Sequence, residues 1–293
     1  MSPRAICVSQ DAGVRGTVGD ALAAAGLTVE HHTAFPTEPN AEGLALVVID
    51  RATRQAMGDA LRTITAPVVV VGDHLDDDAL VALMLEAPVS HLVEDPRDRD
   101  LGITSQKLVS GDLFGLEKYV AAGVEIHERT VVSHADKRLA MSEVCSWAEQ
   151  VGARRPVVLR IESVVDELVM NALHDAPSSG EPTRAAVLRW ASDDRVLALS
   201  VTDTFGAIRQ RDVIDNVRRA RREGGRPQTD RDEAGEPRGA GLGLYLVVAN
   251  VAALIVNVDP GRRTEIVCLF DLARVEHRAV TGAVRSLHVF SAA

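Results

Sequence analysis

Three polar patterns follow one another in a fixed order along the second half of this chain, and each sits at the edge of a regular element. The first is Glu167-Leu168-Val169-Met170-Asn171-Ala172-Leu173-His174. It lies within 156–176, where Ile161, Val164, Val165, Leu168, Val169 and Ala172 recur at helical spacing and predict one apolar stripe. Ser163, Glu167, Asn171 and His174 then line a different face of the same helix. The second pattern is Asp203-Thr204-Phe205-Gly206, directly after the strand-like run 196–201. The third is Arg238-Gly239-Ala240-Gly241-Leu242-Gly243-Leu244, with a helix predicted from near Leu242. A helix that packs an apolar stripe while presenting a carboxylate, an amide and an imidazole needs a sheet beneath it and a cleft beside it.

Each pattern alone also has a plain reading. The helix face suits an ordinary solvated surface, Asp and Gly are common turn formers, and glycine-rich loops are frequent. The third does not fit a Walker A motif, which requires Gly-Lys-Ser/Thr, and its Gly-x-Gly-x-Gly spacing is wrong for a dinucleotide fingerprint. Taken together and in this order, the patterns resemble the N, G1 and G2 boxes of the GHKL (Bergerat-fold) ATPases, the superfamily of gyrase, MutL, histidine kinases and anti-sigma-factor serine kinases. The resemblance covers about residues 118–275.

That resemblance implies ATP and Mg²⁺ as cofactors and assigns roles. Glu167 is the catalytic base that polarises an attacking hydroxyl or water. Asn171 offers an amide oxygen to Mg²⁺, a hard cation that prefers oxygen ligands, and His174 stands with it on the nucleotide side. Asp203 accepts from the exocyclic amine of adenine, and Gly206 lets the backbone pass close to the base. Gly239, Gly241, Leu242 and Gly243 bring backbone N–H groups and a helix N-terminus to the phosphates. The segment at about 207–238 corresponds to the ATP lid. It opens with a helix-like stretch, 210–223, containing Arg218-Arg219-Ala220-Arg221-Arg222, and continues as a mixture of glycine, proline and charge.

The arginine run does not make a nucleic-acid surface. Lys and Arg number 32 against 42 Asp and Glu, the net charge is −10, and aromatic residues are only 3%. His127-Glu128-Arg129-Thr130 invites comparison with a histidine-kinase phosphoacceptor box, but the proline usual after that box is missing and too few residues separate His127 from Asn171 for a two-helix hairpin plus the start of the ATPase domain. His127 is expected on a surface strand (124–132), with His134 at the start of a helix over 135–150. Lacking a phosphoacceptor domain, the chain resembles stand-alone kinases that phosphorylate a separate protein partner. The alternative is a non-catalytic, nucleotide-gated scaffold or partner-switching regulator. Analogy with two-component and anti-sigma proteins adds the expectation of a homodimer, held by the first domain or by 113–150.

The first hundred residues alternate short apolar runs with helical patterns, as βαβ units do. Strands are expected at 5–8, around Val29, and at 44–49, 67–71 and 90–93, with a helix over 14–25 ending at Gly26. With Asp50 ending the third strand, this resembles a response-regulator receiver domain. Its phosphorylation chemistry is dismantled. Ser9-Gln10 stand where an acidic pair would hold Mg²⁺, Gly72 replaces a hydroxyl residue, and Glu94-Asp95-Pro96 replaces a lysine.

The expected fold is therefore α/β throughout. A flavodoxin-like receiver-type domain with a parallel sheet (1–100) is followed by a linker (101–117). An α/β two-layer Bergerat-fold ATPase domain (118–293) completes the chain, with 286–290 as one added strand. Cys7, Cys145 and Cys268 lie far apart in apolar runs and read as buried thiols. No apolar run is long enough to cross a membrane and no signal-peptide pattern opens the chain, so a cytoplasmic protein without membrane or nucleic-acid partners is expected.

Overall fold

The computed structural model describes residues 3–36, 42–73, 78–86, 88–97, 99–174, 185–222, 243–272 and 286–292. The chain divides into two compact units, Met1–Leu113 with Arg285–Phe290, and Phe114–Val284 with Ser291–Ala293.

In the first unit β1 (Arg4–Val8), α1 (Ala12–Ala24), β2 (Thr28–His32), β3 (Leu44–Asp50), α2 (Arg51–Met57), β4 (Val68–Val71), α3 (Asp78–Glu86), β5 (Val89–Val93) and α4 (Arg99–Ser110) follow in order. The strands pair in parallel in the order β2-β1-β3-β4-β5, the flavodoxin-like arrangement. Leu46 to Ile49 and Val68 to Val71 are buried without interruption, as strands covered on both faces must be. Asp11 starts α1 by accepting from the N–H groups of Gly13 (2.7 Å) and Val14 (3.1 Å). Just past its end Gly26 turns the chain at φ 86°, a conformation that only glycine adopts freely.

The expected linker is corrected here. Residues 99–110 form α4, which packs on α1 and β3, with Leu101, Thr104, Ser105 and Lys107 buried. Its inward face is carried partly by hydroxyls and a lysine stem, so a hydrophobic pattern does not announce it.

The second unit contains β6 (His127–Val131), α5 (His134–Gln150), α6 (Arg155–His174), β7 (Ala186–Ser192), β8 (Val196–Asp203), α7 (Gln210–Arg222), α8 (Gly243–Asn250), β9 (Ala253–Asp259) and β10 (Arg263–Asp271). Its strands run β9-β10-β8-β7-β6 with every neighbouring pair antiparallel. On α6 the expected stripe of Ile161, Val164, Val165, Leu168, Val169 and Ala172 is buried, and the helix packs on α5, α8, β7 and β8. Pro156 costs nothing in the first turn, where its missing N–H would have no helical partner. Residues alternating with the helix-covered ones project from the other face of the sheet. There Glu265 accepts from Gly115 N and Asn257 Nδ2, each at 2.9 Å.

The last strand, β11 (Ser286–Ser291), pairs antiparallel with β5. The added strand expected at 286–290 exists, but it belongs to the first unit rather than to the domain assigned to 118–293. His288 stands directly opposite His91, and both rings are buried together with Phe290, Lys107 and Thr104. Among the described residues, no helix is long and apolar enough to cross a membrane.

Candidate functional site

Asp203 closes β8. Its Oδ1 accepts from the N–H groups of Phe205 (2.8 Å), Gly206 (3.3 Å) and Thr264 (3.3 Å). This turn leads the chain off the sheet and holds the carboxylate rigidly, while Oδ2 accepts from no described residue. Thr264 is the register partner of Asp203 on β10, so the two side chains share one face of the sheet. Thr264 is 1% exposed, yet among the described residues its Oγ1 has no hydrogen-bond partner. A buried hydroxyl without a partner costs about 1–3 kcal/mol. It lies at the end of a strand, beside Asp203 across the β8–β10 pair.

Gly206 has φ 60°, and a Cβ there would lie 2.1 Å from the carbonyl oxygen of Asp259 and 2.8 Å from the backbone nitrogens of Gly261 and Arg262. Its close approach is thus to the β9–β10 turn, sealed by Gly261 N–H donating to the Gly206 carbonyl at 3.2 Å. That contact accounts for the glycine and fixes how Asp203 is presented.

On α6, Glu167 and Asn171 are half-buried, one turn apart on the same face. Glu167 reaches the first residue of α8: a Cβ on Gly243 would fall 1.3 Å from Oε1 and 1.8 Å from Cδ. Any larger side chain there would displace the Glu167 carboxylate from this position. The carboxylate lies at the partial positive charge of that helix end, a favourable placement. The structure therefore joins the first and third sequence patterns through Glu167 and Gly243. His174 ends α6, and its side chain lies outside the described residues, as do Gly239, Gly241 and Leu242. Of the expected lid at 207–238, α7 is described, with Val213, Ile214 and Val217 buried and the helix packed on α8.

His127 is corrected from an exposed strand residue. It is half-buried on β6, with ring centroids 5.3 Å from Trp147 and 5.6 Å from Trp190, and it packs rather than presents a nucleophile. Cys7 and Cys268 are buried as expected, while Cys145 is only half-buried. Burial raises the thiol pKa of Cys7 and of Cys145 to about 11, and that of Cys268 further still, so none is an activated nucleophile.

At the C-terminal edge of the first unit's sheet, Asp50 is held by Ser9, one of the residues expected to disable it, and by Thr53. Ser9 Oγ donates to Asp50 Oδ2 at 2.5 Å, and Thr53 N–H donates to Oδ1 at 2.7 Å, capping α2. Asp11 is occupied with the start of α1. The buried Asp73, after Gly72, is paired with Arg54 at 2.5 Å.

No family model matches the chain, and no curated protein matches it. Among solved structures, the SiaB-SiaC complex from Pseudomonas aeruginosa contains a chain that is 15% identical, aligned over 50% of this chain and 89% of that one with a TM-score of 0.35. A likeness that slight carries no functional argument.

Sequence patterns therefore lead to Asp203, Gly206, Glu167, Asn171 and Gly243. They miss Thr264, which sits in an ordinary strand run, Arg263-Thr264-Glu265-Ile266-Val267. The available signal was the lone hydroxyl one residue into a strand that follows a tight turn.

Proposed function

We propose that the second unit binds ATP with Mg²⁺ and that the chain is a signalling kinase which phosphorylates a separate protein partner. The observation that carries this reading is the pairing of Asp203 with Thr264 across β8 and β10, where Thr264 Oγ1 has no partner among the described residues. A carboxylate oxygen and a hydroxyl side by side complement a donor next to an acceptor, the pattern on the amine edge of adenine. Asn171 suits one coordination position of Mg²⁺. Bound Mg-ATP would supply the transferable phosphoryl group. The chain's own residues hold the base with Asp203 and Thr264, and at Glu167 a carboxylate oxygen accepts the proton of the attacking hydroxyl.

One observation favours the second reading, a nucleotide-gated regulator. Glu167 lies against Gly243, so anything that moves the start of α8 also moves Glu167. In that reading the carboxylate reports nucleotide occupancy to α8 instead of acting as a base. The first unit serves in either case as a receiver-type docking module whose Asp50 is held by Ser9 and Thr53.

Labelled ATP and Mg²⁺ with co-purifying proteins test the proposal, using Glu167→Gln and Asn171→Ala. A kinase loses transfer by about 10²–10⁴-fold in Glu167→Gln while keeping nucleotide affinity. A regulator keeps its signalling output in Glu167→Gln and loses it in Asn171→Ala. Absence of label on any protein, with nucleotide binding intact, removes the kinase reading.

A further inference from the structure

The turn between β9 and β10 reads Asp259-Pro260-Gly261-Arg262 and is closed by Arg262 N–H donating to the Asp259 carbonyl at 2.9 Å. Gly261 has φ 72°. Proline at the second position, confined by its ring to negative φ, followed by glycine at positive φ, defines a type II turn. The turn type decides where its middle peptide points. Relative to a type I turn, the Pro260–Gly261 peptide is turned over by about half a revolution, and the Gly261 N–H points the opposite way. In this orientation it donates to the Gly206 carbonyl at 3.2 Å.

Two of the three N–H groups that hold Asp203 Oδ1, those of Phe205 and Gly206, belong to its own loop. They orient the carboxylate relative to that loop and do nothing to fix the loop on the sheet. The β9–β10 turn does that from two sides. Its middle peptide grips the buried Gly206, and Thr264, two residues past the turn, donates its N–H to Asp203 itself. A side chain at the exposed Gly261 would meet nothing within 4 Å. Backbone conformation alone, and not want of room, therefore calls for glycine at 261, whereas Gly206 also lacks space for a Cβ.

We propose that this type II turn is the positioning element for Asp203, with Gly261 as its positioning residue, and that the turn thereby sets selectivity for purines that carry an exocyclic amine. The selectivity rests on the nucleotide-binding reading above; the positioning does not. A carboxylate selects an amine by direction, because a hydrogen bond weakens steeply once its angle falls below about 120°. Turning the Pro260–Gly261 peptide over removes one support of the Asp203 loop while leaving the Asp203 carboxylate, the Thr264 hydroxyl, Glu167 and Asn171 chemically intact. Recognition of the amine then suffers, and the contacts made to the rest of the nucleotide do not.

Two variants of the full chain separate conformation from bulk. Gly261→Val strongly disfavours positive φ, while Gly261→Asn tolerates it at this turn position. Hydrogen exchange without nucleotide should show the 203–208 amides opening about tenfold more readily in Gly261→Val, with β6 and β7 unchanged, and protection close to wild type in Gly261→Asn. Calorimetry then compares Mg-ATP with the triphosphate of purine riboside, which lacks the amine. Wild type prefers ATP by roughly five- to 150-fold, and Gly261→Val lowers that preference to about threefold or less. It binds the amine-free compound as wild type does, and Gly261→Asn restores the preference. Unchanged exchange at 203–208 in Gly261→Val overturns the proposal whether or not nucleotide binds. Equal weakening of both compounds overturns it as well, while nucleotide binding stands. A wild type that binds neither compound defeats the nucleotide reading, and the selectivity role with it.

Discussion

Acidification should loosen the first unit through the paired histidines beneath β11. His91 and His288 are each 1% exposed and directly opposite across β5 and β11. Among the described residues, His91 Nδ1 and His288 Nε2 have no hydrogen-bond partner. The buried Lys107 lies beside them, its Nζ 3.9 Å from the centre of the Phe290 ring. Burial first, and the Lys107 charge second, lower the His91 pKa to about 3. Burial, His91 and Lys107 push His288 well below its usual value as well. In the unfolded chain each imidazole takes a proton near pH 6.5, while in the folded unit it stays neutral. Between those values the unfolded state binds more protons, so stability rises with pH and is lost as pH falls below about 6.5. From pH 7.5 to 5.0 the loss from His91 alone is about 2 kcal/mol, and His288 adds to it in the same direction. Both tryptophans, Trp147 and Trp190, lie in the second unit, so fluorescence does not report on this event. Hydrogen exchange of β5 and β11 peptides at the two pH values does. Replacing His91 by Leu removes one titrating group while leaving the carboxylates unchanged, and the pH-dependent loss should shrink by about 2 kcal/mol. An equal loss in wild type and His91→Leu would refute the reasoning.

Two further outcomes follow from distances in the structure. In Gly243→Ala the added Cβ falls on the Glu167 carboxylate, so α8 and Glu167 must part. Nucleotide affinity should drop by about tenfold or more, with near-unchanged thermal stability of the first unit, as read by calorimetry and exchange. Asp50, with both oxygens engaged by Ser9 and Thr53, should acquire no acyl-phosphate from small phosphodonors, which intact-mass spectrometry measures directly.

Much of this architecture was legible because it rests on local pattern. The apolar stripe of α6 is a 3.6-residue period, the runs of β3 and β4 are uninterrupted, and Asp203-Thr204-Phe205-Gly206 encodes its own turn. What stayed hidden depends on partners far away in sequence. Residues 101–117 read as a linker because α4 (Arg99–Ser110) buries Thr104, Ser105 and Lys107, which become interior residues only once α1 and β3 lie against them. The pairing of β11 with β5 joins residues nearly two hundred positions apart, and no local pattern specifies it. Thr264 and the Glu167–Gly243 contact are similar. The residue types were visible, but that a hydroxyl lacks a partner, or that a glycine makes room for a carboxylate, is a property of the packed molecule.

The central claim is nucleotide binding at Asp203 and Thr264, and titration calorimetry with Mg-ATP tests it most directly. Wild type should bind with a dissociation constant at or below the millimolar range. Asp203→Asn turns an acceptor into a donor facing the adenine amine, and Thr264→Val removes the hydroxyl that now lacks a partner. Each should lose about 1–3 kcal/mol of binding, or roughly five- to 150-fold in affinity, without loss of fold. No heat from wild type at millimolar Mg-ATP, or unchanged affinity in Asp203→Asn, would contradict the account.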